Sequence, residues 1–182
     1  LMAEELDQGL PVIGVSASRQ EKNIRQLKEL FANSNLYLEA SSDIYGVALA
    51  GSLKNVYALA LGMADALNFG INFKGWLTKQ AIIEIAEIIN LLGGKRETAY
   101  GLAGLGDLVA TGFSPYSRNR QAGEDIIKTK NISQEAEGIS SLAPILKILE
   151  NKNINMPPLL QAIKEVIIDK QDPAGIFKKL LS

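Results

Sequence analysis

The apolar positions change period once along the chain. Val12–Ser16 (VIGVS) is a short β-branched run after Pro11, and Leu36–Ala40 (LYLEA) is a second; both predict strands. Between them, Ser18–Asn33 places Ile24, Leu27, Leu30 and Phe31 at helical spacing, and Ser18 with Glu21 has the form of a capping box. Strand–helix–strand predicts the end of an α/β sheet, and two strands alone make a poor sheet. Residues 1–42 therefore read as the tail of a larger α/β domain. From Asp43 onward every periodic segment is helical. Asp43 is predicted to cap a helix running to about Leu67, broken by Asn68-Phe-Gly70. Asn72 is predicted to cap a second through Leu92, closed by Gly93-Gly94. A short helix from Asp107 to about Thr111 follows, then one from about Ser117 to Lys128. Ser140 or Ser141 is expected to open a helix to Asn151, Pro157-Pro158 one through Asp169, and Asp172-Pro173 a last one over 174–181. Repeats and low-complexity tracts are absent from this pattern.

The pattern has one conspicuous break. Lys54 is the only charged residue between Ile44 and Ala64, near the middle of IYGVALAGSLKNVYALALGMA, and Asn55 follows it. An ammonium is costly to bury unless paired or set in a cleft. A membrane span would pay that cost without a partner, so a buried core helix is expected instead. Two readings of Lys54 stand side by side. Its stem can pack along the helix while the head snorkels to water. Alternatively it is a catalytic lysine whose pKa partial burial would lower toward the working range.

Composition narrows the chemistry. The chain has 182 residues, 47% hydrophobic and 21% charged, with net charge −1, so it shows no basic nucleic-acid footprint. It holds no Cys and no His, which removes disulfides, thiolate nucleophiles, histidine triads and histidine-ligated metals. Near-neutral acid–base work falls to Lys, Asp, Glu or Tyr. Residues 1–10 carry acids and no basic stretch, so no secretory signal is expected there, and the expectation is a cytoplasmic protein.

Two further segments could carry chemistry. Gly101–Thr111 (GLAGLGDLVAT) permits a close-approaching backbone, yet matches neither the dinucleotide fingerprint nor the P-loop. Asp107 is expected to open a helix, as a cap or as a partner for Lys54, with Thr111 four residues on along the same face. Ser117, Arg118 and Asn119 at a helix start suit an anion: backbone N–H groups, the dipole and a guanidinium all favour phosphate, whereas the bland reading is a cap followed by solvated arginines. Tyr57, Met63 and Trp76 are expected in the core. The charges of 20–30 and 124–135 read as solvated faces.

Taken in order, Gly51-Ser-Leu-Lys-Asn-Val56, Gly70-Ile-Asn72, GLAGLGDLV over 101–109 and Ser117-Arg-Asn119 resemble the bacterial-type NAD(P)-dependent glycerol-3-phosphate dehydrogenases, as do Met2–Glu5 and Gly9-Leu-Pro11. The resemblance implies a fold that is mainly α. An all-helical domain over 43–182, of the 6-phosphogluconate dehydrogenase C-terminal kind, follows a strand–helix–strand remnant of a Rossmann domain over 1–42. It implies Lys54 as the proton acceptor, and substrate contacts from Lys54, Asp107, Ser117, Arg118 and Asn119. Ala3, Arg118 and Glu137 are implied as contacts to NAD or NADP, with Asn55 and Thr111 in support. The substrate implied is a small phosphorylated molecule, the product a precursor of phospholipids, and a homodimer is allowed. This stretch by itself is expected to be inactive, since the glycine fingerprint lies outside it. Three positions depart from the family pattern. Leu1 stands where a small hydroxyl residue is usual, Glu135 stands where a Val is usual, and the segment before Glu137 is shorter. Two alternatives remain open. The helical domain of a β-hydroxyacid dehydrogenase would carry Lys-x-x-Asn rather than adjacent Lys54 and Asn55. A non-enzymatic helical module would scatter Lys54, Asp107 and Arg118 instead of gathering them.

Overall fold

The computed structural model describes residues 3–130 and 135–181. Leu1 and Met2 lie outside the described residues. A short helix α1 (Ala3–Asp7) leads into strand β1 (Val12–Ala17). Helix α2 (Glu21–Leu30) then crosses over to strand β2 (Leu36–Ser41). The strands pair in parallel, Val12 opposite Leu36 through Ala17 opposite Ser41. The capping box does not form. Ser18 Oγ accepts from Gln20 N two residues on, so the helix starts later and Glu21 falls in its first turn. One face of the pair leaves Ile13 and Tyr37, register partners, more than half exposed.

The rest is helical, as expected, and built around α3 (Ile44–Ala66). Helix α4 (Gly70–Leu91) lies against it, then come α5 (Asp107–Phe113), α6 (Arg118–Thr129), α7 (Glu137–Asn151), α8 (Pro158–Ile167) and α9 (Pro173–Lys179). A 3₁₀ turn (96–100) and a π turn (102–106) precede α5. Helix α3 is long and apolar enough to cross a membrane, but α4, α5, α6 and α7 sheathe it. Its residues 55–64 are all buried, the pattern of a core helix. Gly62 of α3 meets the backbone of Arg120, and Gly123 of α6 meets Leu59 O; a Cβ at either would overlap the facing main chain. These two positions let α3 and α6 pack backbone to backbone.

Two helix starts differ from expectation. Helix α4 begins at Gly70 (φ 78°), after Asn68 (φ 56°) has already turned the chain, so Asn72 lies inside the first turn and caps nothing. Helix α7 begins at Glu137, before Ser140, whose Oγ donates to Glu137 O instead of capping. Tyr57 and Met63 are fully buried, while Trp76 is half-buried against the core and stacks on Phe73.

Asp43 is the cap the sequence predicts, and it does more. One oxygen accepts from Gly46 N (2.9 Å), the other from Lys95 N (2.8 Å) and Thr98 Oγ1 (2.6 Å), joining the start of α3 to the 3₁₀ turn. Burial pushes its carboxyl up, but the bonds from Thr98, Gly46 and Lys95 outweigh it and hold the group below its ordinary 3.8. Asp43→Ala is expected to cost about 1–2 kcal/mol. A carboxyl lowered on folding stabilises above its unfolded value and loses that effect as pH falls through the folded one. The urea midpoints of wild type and variant should therefore differ at pH 7 and converge below 3.8. A gap that persists in acid would contradict this.

Candidate active site

Lys54 points out of α3 toward α5, and its side chain is only 12% exposed. Its Nζ lies 3.1 Å from Asp107 Oδ2 and donates to Thr111 Oγ1 at 3.0 Å. Asp107 and Thr111 stand one turn apart on α5, so a single face offers both oxygens. An ammonium has three donors, so one remains for a ligand. Burial pushes the Asp107 carboxyl up and the Lys54 ammonium is among the groups pulling it down; the net direction is down. The snorkelling reading of Lys54 is thereby replaced: the head is paired, not solvated.

The glycine-rich segment explains how Asp107 is aimed. Residues 102–106 form a π turn, with Gly106 N bonded to Gly101 O, and α5 continues directly from it. The start of α5 is already hydrogen-bonded, so Asp107 has no open helix end to cap and its carboxylate turns to Lys54. Widened turns of this kind often sit where a side chain must be re-aimed. Gly104 packs on the backbone of Ala99, where a Cβ would overlap Ala99 O.

Asn55, next to Lys54, is buried and hydrogen-bonded at both ends of its amide. Its Nδ2 donates to Glu137 Oε2 (2.8 Å), and its Oδ1 accepts from Asn119 Nδ2 (2.9 Å). Asn119 Oδ1 accepts in turn from Gly138 N (2.8 Å). The starts of α6 and α7 are thus tied to α3 beside Lys54. Ser117 caps α6, its Oγ accepting from Arg120 N (3.2 Å), and is buried. Arg118, on the first turn, is exposed and has no ion-pair partner among the described residues. It stands at a helix N-terminus, beside the Asn119–Asn55 bond.

A cleft of about 340 Å³ opens between β1, α3 and the π turn. Val12, Gly14, Gly51, Ala103, Gly106 and Asp107 line it, along with their neighbours. Gly51 lies one turn before Lys54, and a Cβ there would meet nothing within 4 Å, so its bare backbone keeps that wall open. Glu5 of α1 also lines the cleft, two residues after Ala3. Of the sequence-predicted residues, Lys54, Asp107 and Thr111 are in direct contact, and Asn55, Asn119 and Glu137 form a second bonded set, which Arg118 adjoins only as the neighbour of Asn119 in the chain.

Sequence reasoning missed a charged cluster behind α6. Asp65 Oδ2 accepts from Lys74 Nζ (2.9 Å) and Arg120 Nε (2.7 Å), and Arg120 also pairs with Glu124 (2.7 Å). Glu124 is therefore half-buried rather than part of a solvated face. Lys74 sits over the Phe113 ring at 4.4 Å. The missed signal is a lone Asp closing the apolar run of α3.

Comparison with known proteins gives this arrangement a family. The profile of the NAD-dependent glycerol-3-phosphate dehydrogenase C-terminus matches residues 43–178. The chain belongs to the glycerol-3-phosphate dehydrogenase family. It is 33% identical over 187 residues to glycerol-3-phosphate dehydrogenase [NAD(P)+] 1 of Salinibacter ruber, covering 99% of this chain and 54% of that protein. It is 37% identical to the glycerol-3-phosphate dehydrogenase [NAD(P)+] of Agathobacter rectalis, covering 98% and 55%. The solved glycerol-3-phosphate dehydrogenase of Coxiella burnetii superposes with a TM-score of 0.92 at 30% identity, over all of this chain and 57% of that one. The Plasmodium falciparum structure, at 18% identity and TM-score 0.87, shares the fold. The chain spans about half the length of the curated relatives it matches. Family membership sets aside the β-hydroxyacid dehydrogenase and the interaction-module alternatives.

Proposed function

We propose that this chain supplies the catalytic helical part of an NAD(P)-dependent enzyme interconverting sn-glycerol 3-phosphate and dihydroxyacetone phosphate, in the cytoplasm, feeding glycerophospholipid synthesis. The observation that carries the reading is the paired Lys54 with a donor to spare, tied through Asn55 and Asn119 to the α6 start and its Arg118, which has no ion-pair partner among the described residues. Residues 1–42 belong, in this reading, to a dinucleotide-binding domain whose sheet continues past β1 and whose helices cover the face bearing Ile13 and Tyr37, and 43–182 form the substrate domain. A homodimer is compatible with it. The stretch alone is inactive in this reading.

NAD or NADP fits the cleft in one respect: Gly51, where a Cβ would meet nothing within 4 Å, leaves that wall bare enough for a flat ring. When bound, the dinucleotide supplies or takes back the hydride at C2. The residues of this chain do the rest. Lys54 gives a proton to the C2 oxygen as the ketone is reduced, and takes it back in the reverse direction. Asp107 and Thr111 hold the ammonium in place, so that its remaining N–H faces the substrate. Arg118 and the first N–H groups of α6 hold the phosphate.

Activity of the complete enzyme is the direct test: oxidation of NADH or NADPH that requires dihydroxyacetone phosphate. In that enzyme Arg118→Ala should raise KM for the phosphorylated substrate by about 10–100-fold, the loss of one charge-assisted contact, with kcat far less affected. A KM that stays put removes Arg118 from the phosphate site.

A further inference from the structure

The hydrogen bonds among Asn55, Asn119, Glu137 and Gly138 close on themselves. Gly138 N–H donates to Asn119 Oδ1, Asn119 Nδ2 to Asn55 Oδ1, and Asn55 Nδ2 to Glu137 Oε2; Glu137 and Gly138 are adjacent in the chain. Every donor points the same way round. One end of the path is a backbone N–H, which only donates, and the other an ionised carboxylate, which only accepts. An amide can flip without changing shape, but between those ends each of the two amides has one satisfied orientation.

The ring is built closely. Asn55 and Asn119 are 5% and 7% exposed whereas Glu137 is exposed, so reversing one of the two amides would leave donor against donor or acceptor against acceptor at the buried Asn55–Asn119 contact, out of reach of water. A Cβ at Gly138 would overlap the Asn55 carbonyl, so glycine is what lets α7 come this near α3. With Nδ2 donating to Asn55 Oδ1 and Oδ1 accepting from Gly138 N, both ends of the Asn119 amide are held in the ring. Its two amide neighbours in sequence are the residues that matter: Asn55 follows Lys54, and Asn119 follows Arg118.

We propose that Asn55, Asn119 and Glu137 form a one-way hydrogen-bond ring that positions Lys54 and Arg118 relative to each other, with the Glu137 carboxylate setting its direction. It rests on the dehydrogenase reading for the roles of Lys54 and Arg118. In that reading Asn119 and Glu137 are positioning residues, and the ring fixes the spacing between the group that handles the C2 oxygen and the group that holds the phosphate.

Moving the charge tests it. Asn119→Asp keeps the acceptor for Gly138 N but sets a carboxylate oxygen against Asn55 Oδ1, which breaks the ring. Adding Glu137→Gln lets the Asn55 amide flip: glutamine donates to Asn55 Oδ1, and Asn55 Nδ2 donates to the new aspartate. In the complete enzyme, N119D is expected to raise KM for dihydroxyacetone phosphate by about tenfold or more and lower the thermal midpoint. The double variant N119D/E137Q is expected to recover most of both, with dinucleotide Kd the same throughout. The midpoint reads the ring whether or not the protein is a dehydrogenase, and KM reads its effect on the site. A double variant no better than N119D in midpoint overturns the ring. Recovery of the midpoint with KM unmoved by N119D overturns its positioning role. An E137Q change confined to dinucleotide Kd makes Glu137 a cofactor contact instead.

Discussion

Lys54→Ala in the complete enzyme is expected to lower kcat by about 10²–10⁴-fold, the range for losing one positioned proton donor. Dinucleotide affinity should be retained, since Lys54 is not among the residues that line that cleft. A second variant separates chemistry from packing. The substitution leaves Asp107 without the Lys54 ammonium and opens a small void, so some loss of stability accompanies it. Lys54→Arg keeps the charge but not the compact ammonium geometry that bridges Oδ2 of Asp107 and Oγ1 of Thr111. It should fold with near-normal stability and still be slow. An arginine variant with wild-type turnover would show that only a charge is needed there. An alanine variant with wild-type turnover would remove Lys54 from the reaction altogether.

How much of this was legible beforehand varies by the range of the interaction. The helix starts set by local chemistry could be read directly: Asp43, Ser117 and Asp172 all accept from the N–H three residues on. Starts governed by the chain's path could not. Asn72 looks like a cap, but the turn is made earlier by Asn68 and Gly70 in left-handed conformations. Ser140 looks like a cap, but α7 is pulled back to Glu137 by the bond between Gly138 N and Asn119. Lys54 was legible because a charge in a 21-residue apolar run has to be explained. Its partner Asp107 was legible only as one of two options, because the π turn that aims it has no periodicity signal. Glu84 passed unnoticed. It sits among polar neighbours at 80, 84 and 87, so the pattern reads as an exposed stripe, although the residue is 1% exposed.

Glu84→Ala is expected to be the most destabilising single change outside the site, on the order of 3–5 kcal/mol. One carboxylate oxygen accepts from Leu159 N (2.7 Å) and Gln80 Nε2 (3.2 Å), the other from Leu160 N (3.0 Å) and Tyr57 Oη (2.9 Å). Helix α8 begins at Pro158 with no side-chain cap of its own, so Glu84 of α4 serves as its cap from across the core. Alanine would strand the two backbone N–H groups and the fully buried Tyr57 hydroxyl. Tyr57→Phe removes a single donor and should cost about 1 kcal/mol, which calibrates the larger effect. Burial pushes the Glu84 carboxyl above its ordinary 4.5, and the bonds from Leu159, Tyr57, Gln80 and Leu160 hold back part of that rise. A carboxyl raised on folding contributes stability below its unfolded value and loses it as pH climbs through the folded value. The wild-type advantage over Glu84→Ala in urea unfolding should therefore be largest below 4.5 and shrink above it, without vanishing, because the stranded donors remain. Amide exchange at Leu159 and Leu160 should quicken in the variant well before the rest of the core opens. A variant within about 1 kcal/mol of wild type, with those two amides still protected, would mean that water caps α8 as well as Glu84 does.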